Sequence, residues 1–518
     1  MRSAKPTSQE TNKRLPDPEK EHMSIAKKLV GQTAAYGLSS IVGRALNYLL
    51  VPIYTRVFLP EEYGVVSYLY AFVAFFNVLY TYGMETAFFR FANRPEADPK
   101  AVYNRVLSAI LVSSTAFTAL LLLASGAIAR YMGYPDQQEY IVWLALVLAI
   151  DAIVAIPFAW LRHQNKAIKF ASIKLSNILI TVGANLLFLV FFRNIYEGKY
   201  LQELRPLVSY LYDPDFGVGY IFLINLVANA LLLPMLWREF RIFHFKLDVE
   251  QLKPMLQYAY PLLFMGLAGM VNEVIDRLLL EHWLPESFYP GMSNMAAVGI
   301  YSACYKLAIF MTLTIQAFRY AAEPFFFSKA EDKNSPQTFA LVMKWFVIFC
   351  AFIFLFISAN LEDFAYFIGP EYWDGLMVVP VLLLANLFLG VYYNLSVWFK
   401  LTDKTHFGTY ISFGGAAVTI VANLLLIPIL GYMGSAIATL ICYFGMAVAS
   451  YLLGNKHYPI PYPVKTIMGY VALAAILVFA ALAIDVENFW LRHVYHLALC
   501  AAFAVAVVLK ERPRFLKF

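Results

Sequence analysis

Apolar runs of about 20 residues, divided by short polar stretches, recur along nearly the whole chain, and a run of that length is what an α-helix needs to cross a bilayer. Their centres lie near Ile41, Phe75, Phe117, Val147, Ile180 and Leu226, and then near Gly266, Leu307, Phe349, Leu384, Ile420, Ile441, Ala474 and Ala501. The pattern predicts an all-α polytopic membrane protein of about fourteen transmembrane helices. Residues 1–28 stand apart. Rich in Lys, Glu, Pro and Ser, they have almost nothing to bury and are expected to form a polar tail, with the first apolar helix serving as the insertion signal.

The pattern also repeats. Asn47 precedes Leu59-Pro60-Glu61, after which Tyr63-Gly64-Val65-Val66-Ser67 opens the second run; Asn272 precedes Leu284-Pro285-Glu286 at the same spacing, and Val298-Gly299-Ile300-Tyr301-Ser302 opens the eighth. The offset between the copies grows by about ten residues between these markers, which an insertion around Pro290 to Met295 absorbs. The expected organisation is a polar tail (1–28), two six-helix halves (29–240 and 241–455), and two further helices with a basic tail (456–518). Halves with an even number of crossings share one orientation in the membrane, related by an axis along its normal.

Composition agrees. With 61% hydrophobic and 14% charged residues, and a mean hydropathy of +0.62, the chain is far from the roughly 25% charged residues of soluble domains. The net charge of +6 does not mark a nucleic-acid face, because the basic residues follow loops. With both termini inside, about 31 of the 40 Lys and Arg residues fall on the cytoplasmic side, the bias expected of a multi-pass membrane protein with an even number of spans. Cys304, Cys350, Cys442 and Cys500 lie in apolar segments, without the spacing of a zinc site or a disulfide framework. No nucleotide-binding loop, zinc-hydrolase motif or nucleophile elbow is present, so no cofactor or metal is expected. The drive is left to membrane potential, consumption of the cargo, or a transported coupling ion, proton or sodium.

Tyr260-Pro261-Leu262, Asp276-Arg277, Leu284-Pro285-Glu286, Val298-Gly299-Ile300-Tyr301-Ser302 and Tyr305-Lys306 resemble the seventh and eighth helices of the polysaccharide-biosynthesis (O-antigen type) flippases, within the multidrug, oligosaccharidyl-lipid and polysaccharide exporter superfamily. Pro52, Pro60-Glu61-Glu62-Tyr63-Gly64 and the Phe88 to Phe91 ending resemble that family's first two helices. The resemblance covers about residues 24 to 510 by topology, with the last six spans contributing little beyond hydropathy. It implies two bundles around a central cavity, alternating access, and a cargo oligosaccharide carried on a polyprenyl pyrophosphate, with membrane lipids and polysaccharide assembly proteins as further partners.

An ionisable side chain at mid-membrane costs about 2.5 to 3.5 kcal/mol on insertion scales, so each marks a candidate site. Arg44 lies in the first span and shares a helix face with Ser40 and Asn47, at spacings of four and three. Its guanidinium fork suits a pyrophosphate, although pairing with a carboxylate is the plainer alternative. In the seventh span Glu273 and Arg277 stand four apart, so Arg277 is expected to face the cavity and contact either cargo or Glu273. Neighbouring helix residues point about 100° apart, so Asp276 is expected to turn instead toward Lys306 or Arg44. Asp276 or Glu273 is a candidate ion acceptor, or else part of an interhelical clamp. Lys306 would complete a three-cation site or neutralise Asp276. Tyr301 and Tyr305 are candidates to stack on sugar rings, against the plainer role of helix packing. Asp151, with Arg162 eleven residues on, reads as a gate, a coupling site or a packing pair.

Two rival functions follow from the same residues. A multidrug or cation antiporter of the same superfamily would line its cavity mainly with carboxylates, whereas here cations match or outnumber them. A membrane-embedded polysaccharide polymerase or glycosyltransferase would need catalytic groups on a sizeable outer loop, and only the short stretch near Asp213 and Asp215 is available. The expected protein is therefore not an enzyme.

Overall fold

The computed structural model describes residues 42–515 apart from 330, 331, 333 and 485. Residues 42–48 are helical. They are followed by α1 (Val51–Val57), α2 (Pro60–Thr81), α3 (Met84–Ala92), α4 (Pro99–Tyr131), α5 (Gln138–His163), α6 (Ala167–Asn185) and α7 (Gly219–Ala230). The second half continues with α8 (Val249–Trp283), α9 (Asn294–Leu307), α10 (Ile309–Lys329), α11 (Ser335–Ala359), α12 (Val378–Leu395), α13 (His406–Leu430) and α14 (Tyr432–His457). The last two helices are α15 (Val464–Ala483) and α16 (Phe489–Phe515). Among the described residues there is no strand, as bilayer physics requires of a chain that satisfies its backbone polar groups within each segment.

Every expected centre falls within a helix except Ile41, which lies outside the described residues. By length and composition, however, ten described helices qualify as membrane spans, or up to eleven if a bent pair is counted as one. The expected count of fourteen is not reached by that measure: the first candidate lies largely outside the described residues, and three more depart from it for physical reasons. The sixth candidate is a short apolar stretch, Gly219–Met235. The seventh, α8, carries Glu273, Asp276 and Arg277 in its last third and Pro254 and Pro261 inside the helix. The eighth is broken into α9 and α10, which meet at 49° around Ala308.

The Leu-Pro-Glu marker explains the start of α2. Pro60 takes the first helical position, where no N–H is missed, and the Glu62 carboxylate accepts the Leu59 N–H at 2.8 Å. In the second half the same marker ends α8 instead. A turn with Gly291 at φ 75° and the Ser293 hydroxyl, which accepts the Ala296 N–H at 3.1 Å, then restart the chain as α9.

The halves meet where α2 crosses α9, and the closeness of that crossing depends on glycine. A Cβ at Gly64 would lie 2.0 Å from the Met295 carbonyl oxygen, and one at Gly299 would lie 1.9 Å from that of Pro60. Small residues let membrane helices approach until backbone packs on backbone, the main source of cohesion where the solvent is itself apolar. Beside this crossing the end of α1 is tied to the loop before α12. The Gly369 N–H donates to Thr55 Oγ1 at 3.0 Å, and the Tyr372 hydroxyl donates to the Phe58 carbonyl at 2.9 Å. The last two helices pack on α11, where buried Lys344 donates to Glu511 of α16 at 2.5 Å and the Tyr470 hydroxyl of α15 donates to the same carboxylate at 3.2 Å.

Candidate central cavity

Between the halves lies a cavity of about 450 Å³. Helical periodicity selects its walls. Arg44, Asn47, Tyr48 and Val51 recur at spacings of three, one and three along the first helix; Tyr63, Ser67 and Tyr70 line it from α2; Glu273 and Arg277 from α8; Ser302, Tyr305 and Lys306 from α9. Of the residues singled out in the sequence, Arg44, Asn47, Glu273, Arg277, Tyr305 and Lys306 therefore share one cavity. Ser40 lies outside the described residues.

Three cations face one carboxylate here. Arg277 is only 7% exposed, and its guanidinium sits 4.5 Å above the Tyr305 ring. Lys306 Nζ lies 5.5 Å from the Tyr48 ring centre. Among the described residues neither Arg44 nor Lys306 takes part in an ion pair, so both remain open to an anion.

The expectation that Asp276 and Arg277 would have separate partners is overturned. Arg277 donates to Asp276 Oδ1 at 2.9 Å and to the Glu273 backbone carbonyl at 2.6 Å, not to the Glu273 carboxylate. The Tyr301 hydroxyl donates to Asp276 Oδ2 at 2.6 Å. The 100° argument governs where side chains leave the helix, whereas the long arginine arm folds back and reaches its neighbour's carboxylate. Asp276 thus turns toward neither Lys306 nor Arg44. Tyr301, with no exposed surface, lies behind the cavity wall and is not in the lining, against the expectation that it would meet sugar. Together Asp276 and Tyr301 form a buttress that fixes Arg277.

Asp151 also lies off the cavity, but a polar chain leads to it. Asn225 Nδ2 donates to the Tyr70 hydroxyl at 2.6 Å; Asn229 Nδ2 bonds to Asn225 Oδ1 at 3.2 Å and to Asp151 Oδ1 at 3.0 Å. The pairing with Arg162 considered above does not form, since eleven residues separate them by roughly 16 Å along α5. Arg162 pairs with Glu85. Asn272 departs from its repeat-mate Asn47: it accepts from Thr419 at 3.1 Å and donates to the Ser412 carbonyl at 3.2 Å, joining α8 to α13.

The set of intramembrane charges expected from the sequence omits Lys174, Arg319 and Lys344, which fall inside α6, α10 and α11. The bias of basic residues toward loops draws such residues into the loop count when helices extend beyond their apolar centres. Lys344, inside the run Phe339 to Phe356, was the one with a legible signal.

A family model described as polysaccharide biosynthesis protein matches residues 29–329, the part of the chain that carries both repeat markers. The chain is 23% identical over 310 residues to the Lsg locus putative protein 1 of Haemophilus influenzae, an alignment covering 59% of this chain and 68% of the relative. Among solved structures, the fold is similar to the lipid II flippase MurJ in an inward closed conformation, with a TM-score of 0.67 at 13% identity, covering 93% of this chain and 99% of that one. It is also similar to an inward-facing multidrug resistance MATE family transporter of the MOP superfamily, with a TM-score of 0.61 at 14% identity, covering 82% of this chain and 95% of that one. At these identities the likeness is one of fold.

Proposed function

The chain belongs to the polysaccharide biosynthesis protein family, and from that premise we propose that this multi-pass membrane protein moves a polyprenyl-pyrophosphate-linked oligosaccharide from the cytoplasmic to the outer leaflet of the inner membrane. Family and fold together support a flippase-type transporter working by alternating access. The observation that carries the cargo class is the charge of the central cavity: Arg44, Arg277 and Lys306 line it with Glu273, and because Asp276 pairs with Arg277 from behind the wall, Arg44 and Lys306 are left without an ion pair among the described residues. A pyrophosphate presents at least two negative charges and several acceptor oxygens, which guanidinium forks and an ammonium match directly. A cation exporter would need the opposite balance. The hydroxyls of Tyr63, Ser67 and Tyr70 on the α2 wall suit the sugar that follows the phosphate.

The coupling ion is a proton held by Asp151 in this reading. The bonded route from Tyr70 through Asn225 and Asn229 joins that carboxylate to the cavity lining, whereas both Asp276 oxygens are engaged in holding Arg277. Both termini are assigned to the cytoplasm, with membrane lipids and polysaccharide assembly proteins as the surrounding partners. The test is flipping of a lipid-linked oligosaccharide in proteoliposomes containing the purified protein, with and without an imposed proton gradient. Saturable flipping is the expected result, and transport of an organic cation with no effect on the glycolipid would overturn the proposal.

A further inference from the structure

Helix α10 has two unlike faces. Thr312, Gln316 and Arg319 follow one another at spacings of four and three and so form a single polar stripe, while Thr314 and Phe318 look the other way, into an apolar hollow shared with Trp345, Phe346 and Phe349 of α11. The stripe begins with Thr312, six residues beyond Lys306 of the central cavity, whose hydroxyl donates to the Ile309 carbonyl at 2.8 Å. Farther along, the buried Gln316 Oε1 has no hydrogen-bond partner among the described residues. Next comes Arg319, about ten residues from either end of α10 and half-buried.

Arg319 has no carboxylate partner among the described residues. Its guanidinium lies 4.1 Å over the ring of Tyr393 on α12, and the Tyr393 hydroxyl in turn lies in the combined field of Arg319, Glu273 and Arg44. Stacking on an aromatic face fixes the plane of a guanidinium without using its N–H donors. An arginine at membrane depth whose donors bond no described residue is costly unless something binds there. Thirteen residues separate Arg319 from Lys306, roughly 20 Å of helix, too far for one pyrophosphate to touch both.

We infer that Gln316 and Arg319 form a second anion station, on the Lys329 side of the central cavity, which takes the phosphate or pyrophosphate group of the cargo before it passes to Arg44, Arg277 and Lys306. The inference rests on the proposed function. The stripe from Arg319 through Gln316 to Thr312, leading back toward Lys306, is the route between the two stations. Gln316 contributes a side-chain amide that can turn its N–H₂ to a phosphate oxygen, and Arg319 contributes the charge.

The experiment measures transport of a short-chain prenyl pyrophosphate oligosaccharide in proteoliposomes across substrate concentrations, together with thermal stability in detergent. Arg319→Gln is expected to raise the half-saturating concentration about tenfold while the maximal rate changes less than about twofold. Arg319→Lys should fall between, having charge without the fork. Gln316→Leu separates a loading site from a structural clamp. It removes no hydrogen bond that the described residues make to Gln316 Oε1, yet should raise half-saturation about threefold with stability unchanged or improved. Inorganic pyrophosphate should compete with loading of the wild type and compete less in Arg319→Gln. Equal competition from phosphatidylglycerol in the vesicles would instead assign the station to ordinary membrane phosphate and overturn the cargo role. Unchanged half-saturation in both Arg319→Gln and Gln316→Leu, with lowered stability in the first alone, would reduce Arg319 to a clamp. A wild type that transports no glycolipid at all would remove the proposed function, and this station with it.

Discussion

Gly64 and Gly299 hold equivalent places in the two copies of the repeat and lie in contact, with the Gly64 backbone nitrogen 3.0 Å from where a Cβ of Gly299 would stand. The repeat visible in the sequence is thus also the contact that joins the halves at one end. Alanine at either position would strike a backbone carbonyl, which cannot rotate away as a flexible side chain would. Each single substitution is expected to cost about 1–3 kcal/mol and to loosen this end of the cavity. A cysteine placed at Tyr63 should then react faster with a water-soluble thiol reagent in the alanine background. Unchanged melting temperature and unchanged reactivity would show that the crossing is not a closing contact.

Arg44→Ala should abolish glycolipid flipping while the protein still inserts and folds, because the side chain faces the open cavity and forms no ion pair among the described residues. Arg44→Lys should restore part of the rate, since charge returns without the bidentate geometry. Full activity of the alanine variant at matched protein levels would remove Arg44 from the site.

Asp276 and Asp151 are expected to fail differently. Asp276→Asn leaves the Arg277 charge nearly buried without its carboxylate, a loss of about 3–5 kcal/mol by analogy with broken buried pairs, seen as a lower melting temperature. Residual flipping should keep its dependence on an imposed proton gradient. Asp151→Asn should keep its stability more nearly and lose that dependence. The reverse assignment in the same gradient assay would move the coupling role to Asp276.

The Lys344 and Glu511 pair is 3% and 1% exposed and binds the last helix to α11. Lys344→Met should lower the melting temperature, and pairing it with Glu511→Leu should recover much of the loss, because the cost of a broken buried pair lies in the charge left behind. A double variant no more stable than the single one would contradict this account.

Topology is testable with little background, since Cys304, Cys350, Cys442 and Cys500 are all buried. A cysteine at Ser287 should react with an impermeant reagent added from outside, and one at Lys246 should not. The opposite pattern would invert the orientation of the whole chain.

The sequence makes legible much of what rests on cost, although the expected set omits Lys174, Arg319 and Lys344. Charges in an apolar run are expensive wherever they point, so Arg44, Glu273, Arg277 and Lys306 could be chosen before any geometry was available, and they share one cavity. Direction was less accessible. Tyr301 and Tyr305 are one turn apart, yet one is sealed behind the wall against Asp276 and the other lines it, a distinction set by which helix packs behind α9. The route from Tyr70 to Asp151 was hidden for another reason. Asn225 and Asn229 are ordinary polar residues in an apolar stretch until α2 and α5 bring their partners to them from 155 and 78 positions away in the chain.

The unequal fates of Asn47 and Asn272, one in the cavity and the other bonded to α13, bear on vectorial transport. The two copies of the repeat present unlike walls: α2 contributes hydroxyls and no charge and the first helix contributes Arg44, whereas α8 and α9 contribute Glu273, Arg277 and Lys306. A guest with an anionic end and a polyol body has one favoured alignment in such a chamber, much as a dipole has in a field, and a symmetric guest has none. Under the proposed function such a chamber would select a heading along with a chemistry.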